Sequence, residues 1–286
     1  MSGAFIDLSA RAKLRVTGAD RVRFLNGQTT NDVRGAKEVR EACVLNAKGH
    51  LEAHIFFHAT DDAIWIDVDE ALREKLMARL DRYVIADDVV IEDVTEDYAL
   101  FHVLGDSAPE IAGMLRSRRL TADGWDLWTP RAPVAEITAK LFAKGREISP
   151  AEWETMRIEQ GIPRWGHELA PEIIPPEANL EARAIDYAKG CYIGQEVISR
   201  MKMSGQTRQR LVGVIADEKI SLTTGMELMK EGKTVGRITS VAPVSESKRQ
   251  IALAMIKRGA NEPGTQLTAP AGSATVRVVA LPFQTG

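Results

Sequence analysis

The sequence has little cysteine, no long apolar run and no large excess of either charge. Its two cysteines, Cys43 and Cys191, are too few for a disulfide framework, so a reducing compartment is expected. No stretch approaches the roughly 18 consecutive apolar residues that a membrane-spanning helix requires. The N-terminus lacks a basic segment followed by an apolar one, so no signal peptide is predicted. We therefore expect a cytoplasmic protein without membrane contact.

Acidic and basic side chains are nearly balanced, with 37 Lys and Arg against 40 Asp and Glu. The resulting net charge of −3 provides no long-range attraction for phosphates, so direct nucleic acid binding is not expected. The sequence also lacks a P-loop, a Gly-x-Gly-x-x-Gly motif, a His-Glu-x-x-His motif and a Cys-x-x-Cys motif. These absences exclude the commonest nucleotide and metal sites that a short motif can identify.

Helical and strand-like patterns are mixed along the chain, which favours an α+β fold. The alternation of apolar and polar residues over 51–59 predicts a half-buried strand. Asp69 is predicted to cap an amphipathic helix. Four further helices are predicted at residues 21–26, 109–118, 150–160 and 194–203.

The last 80 or so residues differ in pattern from the rest of the chain, because short apolar segments alternate with turns that contain Gly, Pro and charged residues. Five strands in such a short stretch are typical of a small barrel or sandwich. We place a domain boundary near residue 206. The predicted strands are Gln209–Ile215, Glu227–Lys230, Thr234–Val241, Gln250–Ile256 and Thr275–Leu281.

The most informative segment is the octapeptide Lys-Gly-Cys-Tyr-Ile-Gly-Gln-Glu at residues 189–196. Its glycines allow a tight turn and the close approach of a ligand. Lys189, two residues before Cys191, and the helix predicted after it both favour a thiolate, which a nucleophile or metal ligand needs. From the spacing alone, a small buried hydrophobic role for Cys191 is an equal alternative.

The octapeptide, followed by Arg200, resembles the signature motif of the YgfZ family. Residues 24–32 resemble that family's opening motif, and residues 235–240 resemble a strand pair of its C-terminal barrel. The resemblance implies a T-protein-like α+β arrangement of several domains around a central channel. It also implies binding of tetrahydrofolate, or a one-carbon-substituted folate, and assembly or repair of iron–sulfur clusters through Cys191. The supporting motif residues are Lys189, Gly190, Tyr192, Gly194, Gln195, Glu196 and Arg200.

The same resemblance suggests domain limits. Residues 1–206 would form the folate-binding region, in which 1–45 packs with 135–206 and 46–134 forms the other subdomain. Residues 207–286 would form the C-terminal β-barrel.

Glu159 is a second candidate, because a carboxylate in the last turn of a helix is disfavoured by the helix dipole. A solvated surface glutamate is an adequate alternative. The surrounding segment resembles the Arg-Leu-Glu-Ala-Gly stretch of the glycine-cleavage T-protein, whose glutamate binds the pterin ring of folate. A carboxylate suits the two parallel donors of a pterin edge. By this resemblance Glu159 is assigned to folate, with Asn26, Arg157 and His54 as further expected contacts.

One departure from the T-protein concerns the strand that carries Gly-Gly-x-x-Asp-Asp in that relative. Here Ala53 and His54 stand where the acidic pair should be. Without those carboxylates, no negative charge orients and stabilises the amine and the folate iminium. The glycine-cleavage reaction is therefore not expected.

No resident metal site is predicted. His50, His54 and His58 share a strand face, but four strand residues span about 13 Å, too far for one zinc ion. Because one cysteine cannot hold a cluster alone, Cys191 is a candidate only for a transient iron ligand. Scaffold or carrier proteins and client enzymes, including tRNA-modifying radical enzymes, are the expected partners.

Two other functions stay open at this point. A tetrahydrofolate-dependent one-carbon transferase or demethylase acting on a small amine would share Glu159, but it needs an acid or base that the sequence does not identify. A tRNA-binding accessory protein is weakened by the acidic net charge.

Overall fold

The chain builds two units, each from two separate stretches of sequence. Unit 1 comprises Met1–Pro150 and Glu181–Ser199, and unit 2 comprises Ala151–Leu180 and Arg200–Gly286. The structure is a computed structural model that describes residues 3–105, 111–120, 124–216, 221–243, 250–269 and 275–284. No helix within these ranges is long and apolar enough to cross a membrane. The domain limits inferred from the family resemblance stay predictions.

The secondary structure mixes helices and strands, as predicted. In chain order the elements are β1 (Gly3–Asp7), β2 (Ala12–Thr17), α1 (Arg21–Gln28), β3 (Arg40–Leu45), β4 (Leu51–Ala59), β5 (Ile64–Val68), α2 (Arg73–Asp81), β6 (Val90–Asp93), β7 (Tyr98–Leu104), β8 (Met114–Arg116), β9 (Gly124–Pro130), α3 (Val134–Lys144), β10 (Gly145–Glu147), α4 (Pro150–Glu159), α5 (Glu181–Ala184), α6 (Gln195–Ser204), β11 (Gln209–Ala216), β12 (Glu227–Lys230), β13 (Lys233–Val241), β14 (Gln250–Lys257), β15 (Gln266–Thr268) and β16 (Thr275–Val279). Short 3-10 helices cover Glu70–Leu72 and Pro175–Ala178.

Unit 1 contains two five-stranded sheets. One has the order β10-β1-β7-β9-β8 and the other the order β3-β4-β5-β2-β6. Neighbouring strands are antiparallel except for the parallel pair β1 and β10. The first sheet packs Phe5, Phe101 and Leu127 against Leu141 of α3, so its core is largely aromatic and aliphatic.

Strand β4 is buried on both faces, which corrects the half-buried strand predicted from its alternation. Two of its polar side chains, those of His54 and His58, are buried against other protein groups. His54 is hydrogen-bonded to Glu41 of β3, with 2.6 Å between Nε2 and Oε1. His58 is stacked on Trp65 and meets Trp128 edge to face. Aromatic and ionic partners therefore make the polar face of this strand a buried one.

Three of the predicted helices correspond to α1, α4 and α6, with ends within about two residues of the prediction. Asp69 caps the 3-10 turn before α2 by accepting a hydrogen bond from the Ala71 amide. The helix predicted at 109–118 is wrong over residues 111–118, because residues 114–116 form β8 and pair with β9. Residues 109 and 110 lie outside the described residues. Strand pairing overrides the local pattern here.

Unit 2 contains a closed barrel with the strand order β11-β14-β13-β12-β15-β16. The five predicted strands all occur in it, and the α+β class with a C-terminal barrel is confirmed. The sequence did not reveal β15, which joins β12 to β16 and so completes the ring. Its three residues are too few to show a period of two.

Candidate functional site

The octapeptide and the N-terminal motif lie against each other within unit 1, although they are far apart in sequence. The Lys189 side chain is 5% exposed and reaches three backbone carbonyl oxygens. Its ammonium group donates to Asn26 at 2.8 Å, Thr29 at 2.5 Å and Asn31 at 2.9 Å. The two motifs that carry the family resemblance therefore form a single packed region.

The ammonium group of Lys189 acts as an anchor. Its three donors match its three acceptors, and burial lowers its pKa to about 8, so it is still charged at neutral pH. Its ring neighbour is the buried Tyr192, whose ring centroid lies 5.3 Å from Nζ. Lys189 thus ties the loop to the chain beneath it, a role that differs from the predicted support of a thiolate at Cys191.

Two glycines fix how the octapeptide enters α6. Gly194 has a φ of +86°, and a Cβ placed there would lie 2.7 Å from the carbonyl oxygen of Asn46. Opposite it, Gly49 has a φ of +76°, and a Cβ there would lie 2.9 Å from a methyl carbon of Val197. By contrast, a Cβ on Gly190 would meet no heavy atom within 4 Å. Close backbone packing therefore requires Gly194, whereas Gly190 has open space.

The thiol of Cys191 is exposed, whereas that of Cys43 is buried. Burial raises the pKa of the Cys43 thiol, which suits a core side chain. The alternative of a buried hydrophobic role therefore fits Cys43 and not Cys191. Gln195 and Glu196 begin α6, and Arg200 lies further along the same helix. An anchored loop thus presents Cys191 to solvent.

Glu159 lies in unit 2 as the last residue of α4. Two residues beyond the helix end, Gly161 has a φ of +70°, and a Cβ there would lie 2.8 Å from the Leu281 side chain. The Glu159 carbonyl oxygen accepts a hydrogen bond of 2.8 Å from the Phe283 amide. Its half-buried carboxylate makes no hydrogen bond or ion pair with any residue that the structure describes. The backbone of Glu159 is therefore fixed by the Phe283 amide, and its carboxylate can accept hydrogen bonds from a ligand.

Arg157, two residues earlier, has no such freedom. Its side chain is 2% exposed and all five of its N–H groups have acceptors within unit 2. The acceptors are the Glu154 and Glu168 carboxylates, the Ile162 carbonyl and the Ser240 hydroxyl. A folate contact through Arg157 stays a prediction, and it would have to displace one of these bonds.

His54 and Asn26 belong to unit 1, and both are engaged by neighbouring residues. The Glu41 carboxylate that bonds His54 is also paired with Arg183, at 2.7 Å from Nε to Oε2. Burial alone would raise the pKa of Glu41, but Arg183 and His54 lower it to about 2. The Asn26 side-chain oxygen accepts a bond of 3.2 Å from the Val33 amide. Their predicted folate contacts stay predictions.

Sequence reasoning missed the ion pair of Glu41 and Arg183, which are 142 positions apart. Only the register of β3 against β4 brings Glu41 beside His54, and no local pattern encodes that register. Among the described residues, no three His, Cys, Asp or Glu side chains are arranged to hold a metal ion.

Comparisons with known proteins agree with this architecture. The family model of the GCVT N-terminal domain matches residues 2–123, and that of the glycine cleavage T-protein C-terminal barrel domain matches residues 209–284. An aminomethyltransferase of Saccharopolyspora erythraea is 26% identical over 99% of this chain and 87% of its own. The tRNA-modifying protein YgfZ of Escherichia coli is 26% identical over 94% of this chain and 89% of its own. The crystal structure of the glycine cleavage system aminomethyltransferase T from Bartonella henselae has the same fold, with a TM-score of 0.87, 16% identity and coverage of 99% and 86%.

Proposed function

This chain belongs to the folate-binding family of YgfZ and the glycine-cleavage T-protein, and we propose that it supports the assembly or repair of iron–sulfur clusters in a folate-dependent way. Its ligand would be tetrahydrofolate or a one-carbon-substituted folate. Its protein partners would be a cluster scaffold or carrier and client enzymes of the cytoplasm. Radical enzymes that modify tRNA are among the expected clients, in keeping with the tRNA-modifying relative.

The exposed thiol of Cys191 carries this proposal. Cys191 lies on a loop that the Lys189 side chain ties to the N-terminal motif. The sulfur is therefore accessible while the backbone of the loop is held in place. A single thiolate cannot retain a cluster, because the usual ligand set is four. Cys191 would therefore act together with ligands from a partner during a transfer step.

The residues of unit 2 fit a folate. The carboxylate of Glu159 has two acceptor oxygens and no partner among the described residues, which suits the adjacent donors of a pterin edge. When bound, the folate would supply one-carbon chemistry or act as a structural ligand. Glu159 would orient its ring, and Arg157 would hold the end of α4 that carries Glu159.

The folate site is tested by calorimetric titration of tetrahydrofolate. We expect micromolar binding by the wild type and a loss of at least tenfold in Glu159→Ala, since charge-assisted hydrogen bonds contribute about 1.5–3 kcal/mol. Gln160→Ala changes the exposed neighbour and is the matched control. Equal affinity of Glu159→Ala and the wild type would remove Glu159 from the folate site.

The role of Cys191 is tested in cells that lack this protein, by the activity of a radical enzyme with a four-iron cluster. We expect Cys191→Ser to be folded and to fail to support that enzyme. Ala188→Ser, an exposed change on the same loop, should support it fully. Full support by a stably folded Cys191→Ser would contradict the proposal.

The alternative is a tetrahydrofolate-dependent transferase or demethylase for a small amine, and one observation favours it. His54 stands at the strand position where the T-protein carries its carboxylates, and its hydrogen bond to the Glu41 carboxylate makes it a candidate base. Both side chains are buried, and Arg183 keeps Glu41 ionised. Turnover of methylated amines with tetrahydrofolate, lost in His54→Phe, would establish this alternative.

A further inference from the structure

Unit 1 contains a pocket that neither Cys191 nor Glu159 lines. Its volume is about 300 Å³, within the range of small-molecule sites. Three segments form its walls: the start of β3, residues 116–118 at the end of β8, and α5, which contributes Ala182 and Arg183. Phe56 of β4 contributes an aromatic surface.

The walls are tied to one another in pairs. The Val39 amide donates to the Arg116 carbonyl at 2.9 Å, which joins the first wall to the second. Arg183 donates from Nη2 to the Arg118 carbonyl at 2.7 Å, and from Nε to Glu41 at 2.7 Å. The third wall is thereby joined to both others. A pocket cross-linked in this way is formed before any ligand arrives, so binding costs little ordering.

The lining carries an excess of positive charge in a protein whose net charge is −3. Glu41 is neutralised by its ion pair with Arg183, and Glu38 is exposed. Against Glu38 stand the guanidinium groups of Arg40 and Arg118, and Arg116 also lines the pocket, with its guanidinium 5.9 Å from the centroid of the Trp125 ring. Guanidinium groups present paired N–H donors that match the oxygens of carboxylates and phosphates.

A buried hydroxyl adds an observation that is independent of charge. Ser117 lines the pocket and is 1% exposed. Its Oγ has no hydrogen-bond partner among the residues that the structure describes. Buried polar groups almost always have a partner, so this hydroxyl can gain one when rotation about the Cα–Cβ bond of Ser117 turns its Oγ toward a ligand in the pocket.

We propose that this pocket is a second ligand site, which binds the oxyanion group of a small organic acid or phosphate ester through its arginines and Ser117. Arg118 is the leading contact, because its exposed guanidinium makes no hydrogen bond or ion pair within the described chain. The oxyanion has two sources, a free metabolite or the glutamyl carboxylates of a folate. This site is separate in its residues from the Glu159 assignment.

Calorimetry with inorganic phosphate and with glutarate tests the site directly. We expect Arg118→Ala to raise the Kd for at least one probe about tenfold or more, and Ser117→Ala to raise it about two- to tenfold. The control is Arg82→Ala, which removes the same charge from an exposed side chain outside the pocket and should leave the Kd within about twofold. Unchanged melting temperatures for the variants would show that the fold is retained.

Titrations with tetrahydrofolate mono- and triglutamate identify the source. Binding of phosphate or glutarate to the folate-saturated protein, with folate affinity unchanged in Arg118→Ala, indicates a free metabolite. A weaker folate affinity in Arg118→Ala, with the larger loss for the triglutamate, indicates the glutamyl tail. Equal affinities of Arg118→Ala and the wild type for all four probes, or an equal loss in Arg82→Ala, would overturn the proposal. Glu159→Ala should keep phosphate and glutarate binding, so the two sites can fail separately.

Discussion

We expect Gly194→Ala to destabilise unit 1 strongly, although it adds only one methyl group beside Cys191. At a φ of +86° a non-glycine residue costs about 1–2 kcal/mol. The new Cβ would also lie 2.7 Å from the Asn46 carbonyl oxygen and 3.1 Å from the Leu45 side chain. Relieving such overpacking costs a further 1–3 kcal/mol or so. The two terms together predict a loss of about 3 kcal/mol.

Gly190→Ala is the matched comparison, because it makes the same change in the same octapeptide. A Cβ there meets no heavy atom within 4 Å, and the φ of Gly190 lies outside the left-handed region. Such a substitution is neutral or stabilises by up to about 1 kcal/mol, since it restricts the unfolded chain.

Urea unfolding followed by tryptophan fluorescence measures both variants, with the free energy of unfolding obtained by linear extrapolation. Our prediction is a large difference in the free energy of unfolding between the two alanine variants, at similar m-values. A Gly194→Ala protein within about 0.5 kcal/mol of the wild type would refute it. A Gly190→Ala protein that is less stable than Gly194→Ala would refute it as well.

Two further predictions concern buried titratable groups. Burial lowers the pKa of His58 to about 4 from 6.5, so between these values the unfolded state binds more protons, and stability should fall by up to about 3 kcal/mol as the pH drops from 6.5 to 4. His58→Phe should abolish most of this loss in urea midpoints measured across that window, and an unchanged pH dependence would show that another group is responsible. Lys189→Met leaves three carbonyl oxygens without their donor and should cost about 3 kcal/mol, whereas the exposed Lys48→Met should cost almost nothing. Equal unfolding free energies for the two methionine variants would contradict the anchoring role of Lys189.

The elements that could be predicted from the sequence are those with a strong local signal. Helices α4 and α6 and the longer barrel strands have such signals. The elements that could not be predicted depend on partners far along the chain. Strand β8 exists because it pairs with β9, and β15 because it closes the barrel.

The candidate site shows the same limit at the level of side chains. The motif residues can be recognised in the sequence, but their roles depend on contacts that their spacing does not predict. Lys189 was expected to influence its sequence neighbour Cys191, yet its ammonium group is occupied by carbonyls from the N-terminal motif. Glu41 had no local signal, because its importance comes from its bonds to His54 and Arg183.

A common arrangement connects the two candidate positions, one in each unit. Lys189 precedes Cys191 by two residues, and Arg157 precedes Glu159 by two. Lys189 and Arg157 are buried, and all their side-chain N–H donors are occupied. By contrast, Cys191 is exposed, and the Glu159 side chain has no partner among the described residues.

Substitutions of Lys189 and Arg157 should therefore have different effects from substitutions of Cys191 and Glu159. A saturated cation cannot give a donor to a ligand without losing a bond, so its contribution is to fix the backbone that presents the next functional group. Substitutions of the cations should therefore lower stability and function together. Substitutions of Cys191 and Glu159 should lower function alone, because no described contact of their side chains is lost.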